Sequence, residues 1–438
     1  MSGLITRHLV AGVDSSTQSC KVVIVDPETG EIVRQGRAKH PDGTSVNPDH
    51  WWDALLQAIE AAGGLSDVKA ISIAGQQHGM VALNAQGQVV RDALLWNDTR
   101  SAPQAQKLIE HFGSAWLAKN TGSVPVASFT STKLLWLKET EPANAEATAA
   151  VALPHDWLTW KLAGLAPDIT KLVTDRSDAS GTGYFDPILN TYLDDVVHFC
   201  IGKDIVLPRV ADWNEVVGEV VSEIAGGSGC MVGPGMGDNA GAAMGLDLAS
   251  GEIAISIGTS GTIFGVTQEG YQDETGAIAG FASADGKFLP LVCTLNAARV
   301  LEWGAQILGV SLYELGELAS KAEKGAEGVT LIPYFEGERT PNLPDARAAL
   351  SGLSLANGTR ENLARACVEG MLRGLEVGRE LIAAAGTEVT SIKIIGGAAA
   401  NLGVRKVAQE MFGAVVSFPA PEEYVALGAA SQASRLVG

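Results

Sequence analysis

Two strand–turn–strand segments of nearly the same design occur in this chain, one near the N-terminus and one past its midpoint. The first turn covers residues 12–17, read as Gly-Val-Asp-Ser-Ser-Thr, and the second covers residues 257–261, read as Ile-Gly-Thr-Ser-Gly. Both are flanked by short apolar runs rich in β-branched residues, which are typical of strands. The repetition predicts two α/β halves that each open with a hairpin, although chance recurrence is the alternative because such turns are common.

The length of the chain also favours two domains. A chain of 438 residues is too long to be organised around a single hydrophobic core. We expect an N-terminal domain over residues 1–243 and a C-terminal domain over residues 244–438. The glycine-rich stretch 226–245 lies at the junction and is the candidate hinge. Helical spacing predicts a helix beginning near Asn47 and a long helix over residues 360–385.

Composition excludes several classes of partner. The net charge of −19 opposes binding to nucleic acid or to an anionic membrane surface. No apolar run approaches the roughly 18 residues of a membrane span, so a cytoplasmic protein without a membrane partner is expected. The five cysteines include no CxxC pair, which favours free thiols.

The sequence lacks the signatures of other common nucleotide-binding and metal-binding folds. Neither G-x-x-x-x-G-K-[ST] nor G-x-G-x-x-G occurs, which argues against a P-loop kinase and a Rossmann dehydrogenase. Histidine, cysteine and acidic residues show no zinc-binding spacing. A phosphate site in this chain would therefore depend on the two small turns.

Asp238 follows three alternating glycines, at positions 233, 235 and 237. Glycine allows close approach of a ligand, so Asp238 is a candidate general base that accepts the proton of an attacking hydroxyl. The alternative is that Asp238 is only the N-cap of a helix starting at Asn239. The two interpretations are compatible.

Asp14 ends the first apolar strand, where an isolated carboxylate is costly unless it meets a cation or N–H donors. One interpretation is that Asp14 orients Mg²⁺ or its waters beside ATP phosphates. The other is that Asp14 caps its own turn through Thr17 as an Asx-turn.

Three further segments are candidates for ligand contacts, and each has an ordinary structural alternative. His78 lies between two glycines and could bond a polar ligand or be a satisfied loop residue. Gly396 and Gly397 follow a strand and could lie against adenine or simply form a turn. Residues 96–100 combine an apolar tryptophan plate with polar groups, which suits a sugar or a salt-bridged loop.

Taken in order, these motifs resemble the FGGY family of carbohydrate kinases over essentially the whole chain. The sugar-side motifs resemble those of the xylulose-phosphorylating members. Ser16 departs from the pattern, because the family usually has glycine at this place in its first phosphate loop. The motifs that carry the resemblance are residues 75–79, 95–100, 133–137, 237–239, 256–260, 337–341, 350–353 and 362–369.

The resemblance implies the actin and sugar-kinase fold, an α/β architecture of two ribonuclease-H-like domains around a central cleft. It implies ATP-dependent phosphorylation of a ketopentose, D-xylulose to D-xylulose 5-phosphate, with ATP and Mg²⁺ as cofactors, and it leaves a homodimer open. The alternatives are another sugar or polyol kinase of the family, acting on ribulose, gluconate or glycerol, or a non-kinase actin-like nucleotide switch.

The resemblance also implies which residues form each part of the site. Asp238 would be the general base, and Mg²⁺ would lie near Asp14. The implied sugar contacts are Gln77, His78, Asn97, Asp98, Asp238 and Asn239. The implied ATP contacts are Asp14, Thr17, Gly258, Thr259, Gly396, Gly397 and Asn401.

Overall fold

The computed structural model describes residues 8–224, 226–384, 386, 388–413 and 415–437. Its first half is a mixed sheet with helices packed on its faces and a group of smaller strand pairs. The strands of this half are β1 (Leu9–Ser15), β2 (Ser19–Val25), β3 (Ile32–Lys39), β4 (Ser45–Val46), β5 (Val68–Gly75), β6 (Val81–Leu83), β7 (Ala93–Leu94), β8 (Ala150–Ala152), β9 (Val173–Thr174), β10 (Phe185–Asp186), β11 (Thr191–Tyr192), β12 (Arg209–Val210), β13 (Gly218–Glu219), β14 (Met231–Val232) and β15 (Met236–Gly237). Its helices are α1 (Asp49–Ala61), α2 (Ala102–Phe112), α3 (Ser114–Thr121), α4 (Thr130–Thr140), α5 (Pro142–Ala147), α6 (Pro154–Leu162), α7 (Arg176–Ala179), α8 (Asp194–Ile201) and α9 (Asp238–Gly245), with a 3₁₀ turn at Ile169–Lys171.

The second half repeats this plan with a second mixed sheet. Its strands are β16 (Glu252–Ile257), β17 (Gly261–Gly265), β18 (Ala279–Ala282), β19 (Phe288–Thr294), β20 (Thr330–Ile332), β21 (Ala349–Ser351), β22 (Ser391–Ile395) and β23 (Val415–Ser417). Its helices are α10 (Ala298–Leu308), α11 (Leu312–Lys321), α12 (Arg360–Ala384), α13 (Leu402–Met411) and α14 (Tyr424–Leu436), with 3₁₀ turns at Ala326–Gly328 and Gly397–Ala400.

The two large sheets share one strand order. In the first, β3, β2 and β1 form an antiparallel meander, and β5 and then β14 continue in parallel beside β1. In the second, β19, β17 and β16 form the meander, and β22 and β23 continue in parallel beside β16. The two hairpins of the sequence are therefore the first two strands of each sheet, β1–β2 and β16–β17, as their repetition predicted.

Strand register explains how distant residues reach one place in the first sheet. Ser15 of β1 pairs with Gly75 of β5, and Gly237 of β15 pairs with the same Gly75. The carboxyl ends of these three parallel strands therefore meet at one edge of the sheet. Asp14 lies at the end of β1 and Asp238 directly after β15, so residues more than two hundred positions apart face the same cleft.

The last helix of the chain, α14, packs against the first sheet and not only against its own half. Its alanines pack with apolar residues of β1, β2 and β5. A Cβ on Gly12 would lie 1.9 Å from the carbonyl oxygen of Ala426, so only glycine permits this approach. Helix α9, which lies within the predicted hinge, also packs closely against α14. A Cβ on Gly428 of α14 would lie 1.9 Å from the carbonyl oxygen of Gly241 in α9. The glycines of α9 thus serve helix packing.

The long helix α12 carries small residues at four-residue spacing, at positions 366, 370, 374 and 378, and close packing explains two of them. A Cβ on Gly370 would lie 2.6 Å from the Leu331 oxygen, and one on Gly378 would meet the side chain of Ile263 at 2.6 Å. Gly374 faces open space. The predicted end of this helix, residue 385, lies outside the described residues.

The cysteines and the helices bear on two predictions made from composition. All five cysteines are free thiols, and four of them are buried. Among the described residues, no helix combines the length and the apolar character needed to cross a membrane.

Candidate active site

Two cavities, each of about 460 Å³, meet in the cleft between the halves. Both are lined by Asp238 and Asn239 from the first half and by Ser256 and Thr262 from the second. The first cavity continues towards Gly396 and is called the nucleotide-side cavity below. The second continues towards His78 and is called the sugar-side cavity. Asp238 thus lies where the two cavities adjoin.

Asp238 is the first residue of α9, and the N-cap position belongs to Gly237. Asp238 therefore lies one position inside the helix and not at its N-cap, and its side chain lines both cavities. One carboxylate oxygen accepts a hydrogen bond from Nδ2 of Asn239 at 3.1 Å. The same Nδ2 donates to Oε1 of Gln77 at 2.8 Å. Hydrogen bonds thus link Gln77, Asn239 and Asp238, which are three of the predicted sugar contacts.

Burial, together with the negative charges of Asp178 and Asp14, raises the pKa of Asp238 to about 8. A base is most useful when its pKa lies near the operating pH. The raised pKa therefore makes the Asp238 carboxylate a better proton acceptor for a hydroxyl group, whose own pKa is much higher than that of the carboxyl group.

A buried layer that the sequence analysis missed lies behind Asp238. The hydroxyl of Ser177 accepts from the Gly237 N–H at 3.1 Å, and the Ser177 carbonyl accepts from Nε2 of Gln77 at 3.3 Å. Nδ1 of His155 lies 2.6 Å from a carboxylate oxygen of Asp178, its partner in this layer. Such a layer holds a reacting side chain in one orientation.

The glycine spacing before Asp238 was the available signal for this layer. A Cβ on Gly235 would lie 2.4 Å from Cδ2 of His155, so the imidazole fills the space that a larger residue would need. The sequence marks the close approach but cannot name the residue that makes it.

Asp14 is buried at the wall of the nucleotide-side cavity. Its carboxylate accepts from the hydroxyl of Ser16 and from Nζ of Lys21 at 3.2 Å. Lys21 is in turn 2.7 Å from Glu423. The Asx-turn with Thr17 does not form, and the carboxylate instead accepts from Ser16 and Lys21. Burial raises the pKa of Asp14, although Lys21 and Ser16 oppose the shift.

Sequence analysis overlooked Lys21 as a member of the site. The antiparallel register places Lys21 directly opposite Asp14 across the β1–β2 hairpin. Counting back from the turn would have found this pair, since cross-strand neighbours lie close enough to interact.

His78 lies on the sugar-side cavity with a positive φ of 67°. Its Nδ1 is 2.6 Å from the Gly181 carbonyl, so Nδ1 carries the proton and Nε2 remains an acceptor. Burial, together with the charge of Lys133, lowers the pKa of His78 to about 3. The imidazole is therefore neutral and stacks on Phe129 with ring centroids 4.9 Å apart.

The sugar-side cavity combines polar groups with an apolar wall. Gln77, His78 and Trp96 lie on the side of the first half, and Thr259 and Arg339 on the side of the second. The apolar wall includes Val124, Val126, Phe129, Ile278, Phe281 and Leu291.

Four predicted site residues lie on neither cavity wall. Asp98 is buried, where it accepts from Thr44 and Arg100, and Asn97 lies beside it with an unpartnered Oδ1. Trp96 of the same segment reaches the cavity instead. Its Nε1 donates a hydrogen bond of 2.8 Å to the hydroxyl oxygen of Thr17, the fourth of these residues. Asn401 caps α13 by accepting from Gly403 and Val404.

The remaining predicted ATP contacts line the cleft, some on each cavity. The turn 258–260 lies on the sugar-side cavity, and Gly396 and Gly397 lie on the nucleotide-side cavity. Gly396 has φ of 95°, and a Cβ there would come within 3 Å of the backbone of Ile257. A Cβ on Gly397 would meet nothing within 4 Å, so this residue leaves space open. The segment 419–425, which ends in the first residues of α14, also lines the nucleotide-side cavity and was not predicted.

This arrangement of two repeated α/β halves around a cleft, with an acid between two phosphate-sized turns, defines a class of phosphotransferases. Sequence comparison identifies the class independently. The N-terminal domain profile of the FGGY family of carbohydrate kinases matches residues 9–245, and its C-terminal domain profile matches residues 253–437.

Curated relatives and solved structures agree. A xylulose kinase from Streptomyces rubiginosus is 43% identical, with 98% of this chain and 88% of the relative aligned. A crystal structure of xylulose kinase from Bifidobacterium adolescentis is 47% identical with a TM-score of 0.93, covering 98% of this chain and 93% of the other. Plasmodium falciparum glycerol kinase with ADP, 22% identical, shares the fold with a TM-score of 0.88, covering 98% and 90%.

The chain therefore belongs to the FGGY family of carbohydrate kinases. The predicted actin and sugar-kinase fold is confirmed, and so is the prediction of an ATP-dependent carbohydrate kinase. Among the relatives described above, the two that exceed 40% identity over nearly the whole chain are both xylulose kinases.

Proposed function

We propose that this enzyme transfers the γ-phosphoryl group of ATP to D-xylulose and forms D-xylulose 5-phosphate. The observation that carries the proposal is the junction at Asp238, a buried carboxylate shared by a sugar-side and a nucleotide-side cavity. The full-length similarity to xylulose kinases supports the choice of sugar.

Asp238 is the proposed general base. Its carboxylate accepts the proton of the sugar hydroxyl as that oxygen attacks the γ-phosphorus, and ADP leaves with the electrons of the broken P–O bond. Gln77 and Asn239 hold the carboxylate in place through the amide chain described above. His78 accepts a sugar hydroxyl through Nε2, because its neutral form leaves that nitrogen without a proton.

The turn 258–260 is the proposed site for ATP phosphates. Neither the backbone N–H groups nor the side chains of Thr259 and Ser260 make a hydrogen bond within the described parts of the chain. Free N–H groups in a tight turn form a concave anion site. The 396–400 segment and the 419–425 segment would enclose the nucleoside, and Gly397 leaves the space that a flat base needs.

Asp14 fits a Mg²⁺ ion that accompanies the phosphates. Carboxylate oxygen is the ligand type that Mg²⁺ prefers, and Asp14 lies on the nucleotide-side wall. Because Ser16 and Lys21 already contact this carboxylate, Asp14 would hold the ion through its water ligands. The bound ion would supply positive charge to the phosphate oxygens.

The test is a panel of ketoses and polyols assayed for ADP formation. D-xylulose should give the highest kcat/KM, and mass spectrometry should find one added phosphate on the sugar. A higher kcat/KM for ribulose, gluconate or glycerol would contradict the choice of sugar but preserve the kinase assignment. ADP formation that no sugar or polyol stimulates would instead favour a nucleotide switch of the same fold.

A further inference from the structure

Arg339 is a cation on the sugar-side cavity whose charge has no partner in the free enzyme. Among the described residues, no carboxylate or carbonyl accepts a hydrogen bond from its guanidinium, and it takes part in no ion pair. It is half-buried and lines the same cavity as His78 and the turn 258–260. A partly buried charge normally finds an opposite charge, so this one is poised for a ligand.

The backbone that carries Arg339 is held rigidly. The buried carboxylate of Glu338 accepts from the N–H of Leu295 at 2.6 Å, from Nδ2 of Asn296 at 2.9 Å and from the Arg339 N–H at 2.8 Å. Gly337 has φ of 80°, and a Cβ there would lie 2.3 Å from the oxygen of Pro344. The loop therefore presents the guanidinium from a fixed base.

The other cations of the cleft are already engaged. Lys21 is paired with Asp14 and Glu423 on the nucleotide side. Arg405, also on that side, donates to the Ala399 carbonyl and stacks over Phe418. Lys133 is fully buried behind His78 and donates to carbonyls. On the described walls of the sugar-side cavity, Arg339 is the cation that remains available.

The charge of the occupant of this cavity changes during the proposed reaction, on which this inference rests. D-xylulose enters neutral, but the product carries a phosphate dianion. A planar guanidinium matches phosphate oxygens with two parallel hydrogen bonds, which a neutral hydroxyl cannot match. In the absence of nucleotide, Arg339 therefore gains an ionic partner from the sugar-phosphate product but none from the neutral sugar.

We propose that the guanidinium of Arg339 binds the phosphoryl group during its transfer and holds the phosphate of the sugar-phosphate product. The γ-P–O bond of ATP breaks, the bond from the sugar oxygen to phosphorus forms, and the proton goes to Asp238. Arg339 gains and loses no proton, and it stabilises charge on the transferred oxygens. It is thus a catalytic residue that favours the transition state and product over the neutral substrate.

The experiment compares Arg339→Gln with wild type by calorimetric binding of D-xylulose and of D-xylulose 5-phosphate, and by steady-state kinetics. The variant should bind the product roughly 10- to 100-fold more weakly and lose a similar factor in kcat, the usual scale for a charged hydrogen bond. Its affinity for D-xylulose should change less than about twofold, because the neutral sugar offers no charge to this group. Arg339→Lys keeps the positive charge but cannot make the two parallel hydrogen bonds of a guanidinium. Its product affinity and kcat should lie between those of wild type and of Arg339→Gln.

Arg347→Gln is the matched control, because Arg347 follows on the same segment but is exposed and bonds only nearby carbonyls. It should leave all three measurements unchanged, and thermal unfolding confirms that each variant folds. Equal weakening of D-xylulose and its phosphate, or no effect on either, would overturn the inference. If wild type prefers another sugar, the choice of sugar fails, and Arg339 is then judged by the same comparison on that sugar and its phosphate.

Discussion

The two hairpin turns look alike in sequence but differ in what they leave free. In the first, between β1 and β2, Asp14 is occupied by Ser16 and Lys21. The Ser16 carbonyl meets Nδ1 of His40 at 2.8 Å, and the Thr17 hydroxyl meets Trp96. In the second, between β16 and β17, the hydrogen bonds of the turn involve only Gly258 and the Ser260 carbonyl within the described residues.

The difference shows how one repeated element can serve two purposes. The first turn uses side chains to fix a carboxylate and its counter-charge, which in the proposed mechanism places a negative group near the metal and the phosphates. In the second turn the side chains of Thr259 and Ser260 are unbonded as well as their N–H groups within the described residues, so we propose that this turn binds the anion. Asp238 lies between the two turns, at the junction of the cavities that they line.

The largest effect is expected at Asp238, which tests whether the two turns suffice without the acid. Asp238→Asn should lower kcat by roughly 10²–10⁴, the usual contribution of a positioned general base. ATP binding, measured by calorimetry, should persist because the turns are untouched. Asp247→Asn, an exposed acid just beyond the same helix, is the control and should retain full activity.

The same variant should not destabilise the protein. The pKa of Asp238 is raised from 3.8 to about 8, so between these values the folded state holds a proton that the unfolded state has lost. The contribution of Asp238 to the free energy of unfolding therefore falls as pH rises through this window. Asparagine does not ionise, so the Asp238→Asn variant loses no stability in this way as the pH rises. The melting temperature of the variant at pH 8 should be no lower than that of wild type. Near-normal turnover of a folded Asp238→Asn enzyme would remove Asp238 from the mechanism.

Replacing the carboxylate of the first turn tests the division of labour between the turns. Asp14→Asn should lower kcat roughly 100-fold and raise the Mg²⁺ concentration needed for half-maximal rate, since a metal-linked charge is worth several kcal/mol. Lys21 keeps Glu423 as a partner, so the hairpin should fold. Sugar affinity measured without nucleotide should be unchanged. Asp42→Asn is the control, because Asp42 is an exposed acid just after β3.

A collapse of sugar affinity with unaltered Mg²⁺ dependence would transfer Asp14 to the sugar site. In that case the first turn would not be a phosphate-side element, and the contrast between the two turns would fail.

The two turns also differ in how they influence the base, and pH reports that influence. Because Asp238 must be deprotonated and its pKa is about 8, kcat/KM for the sugar should rise with pH and level off above 8. Below this value it should fall about tenfold per pH unit. The charge of Asp14 raises the pKa of Asp238, so Asp14→Asn should move the midpoint to lower pH. A midpoint that stays in place in Asp14→Asn would show that the first turn does not act on the base.

Local patterns explain which features the sequence could predict. Both hairpins, the strand at Glu252–Ile257 and the long helix from Arg360 follow from the spacing of apolar residues and turn residues within a short window. Asp238 was found because glycines surround it. These signals are all carried by neighbours along the chain.

The rest of the site depends on contacts between distant segments. Ser177 and His155 meet the strand before Asp238 only after folding, and the glycine spacing marks the approach without naming them. Asn97 and Asp98 were assigned from the resemblance of the whole segment 95–100 to a sugar-side motif, yet side-chain direction differs from residue to residue, and only Trp96 of this segment reaches the cavity. Asn401 was taken for an ATP contact, but capping of α13 uses its side chain.

The smallest effect is expected beside the second turn, at Gly397. Gly396 cannot be replaced without disturbing Ile257, but a side chain on Gly397 points into open space on the nucleotide-side cavity. Gly397→Val should therefore fold normally and raise KM for ATP by about tenfold, through loss of roughly 1.4 kcal/mol of nucleotide binding. KM for the sugar should be nearly unchanged, and Gly397→Ala should give a smaller rise in KM for ATP.

Gly374→Val is the matched control, because a Cβ at Gly374 also meets nothing within 4 Å but lies on α12 away from both cavities. It should leave KM for ATP unchanged. An unaltered KM for ATP in folded Gly397→Val would show that the glycine pair is only a turn. The second hairpin would then bind the phosphates without help from the neighbouring strand β22. The adenine ring of ATP would have to be held by the segment 419–425 alone.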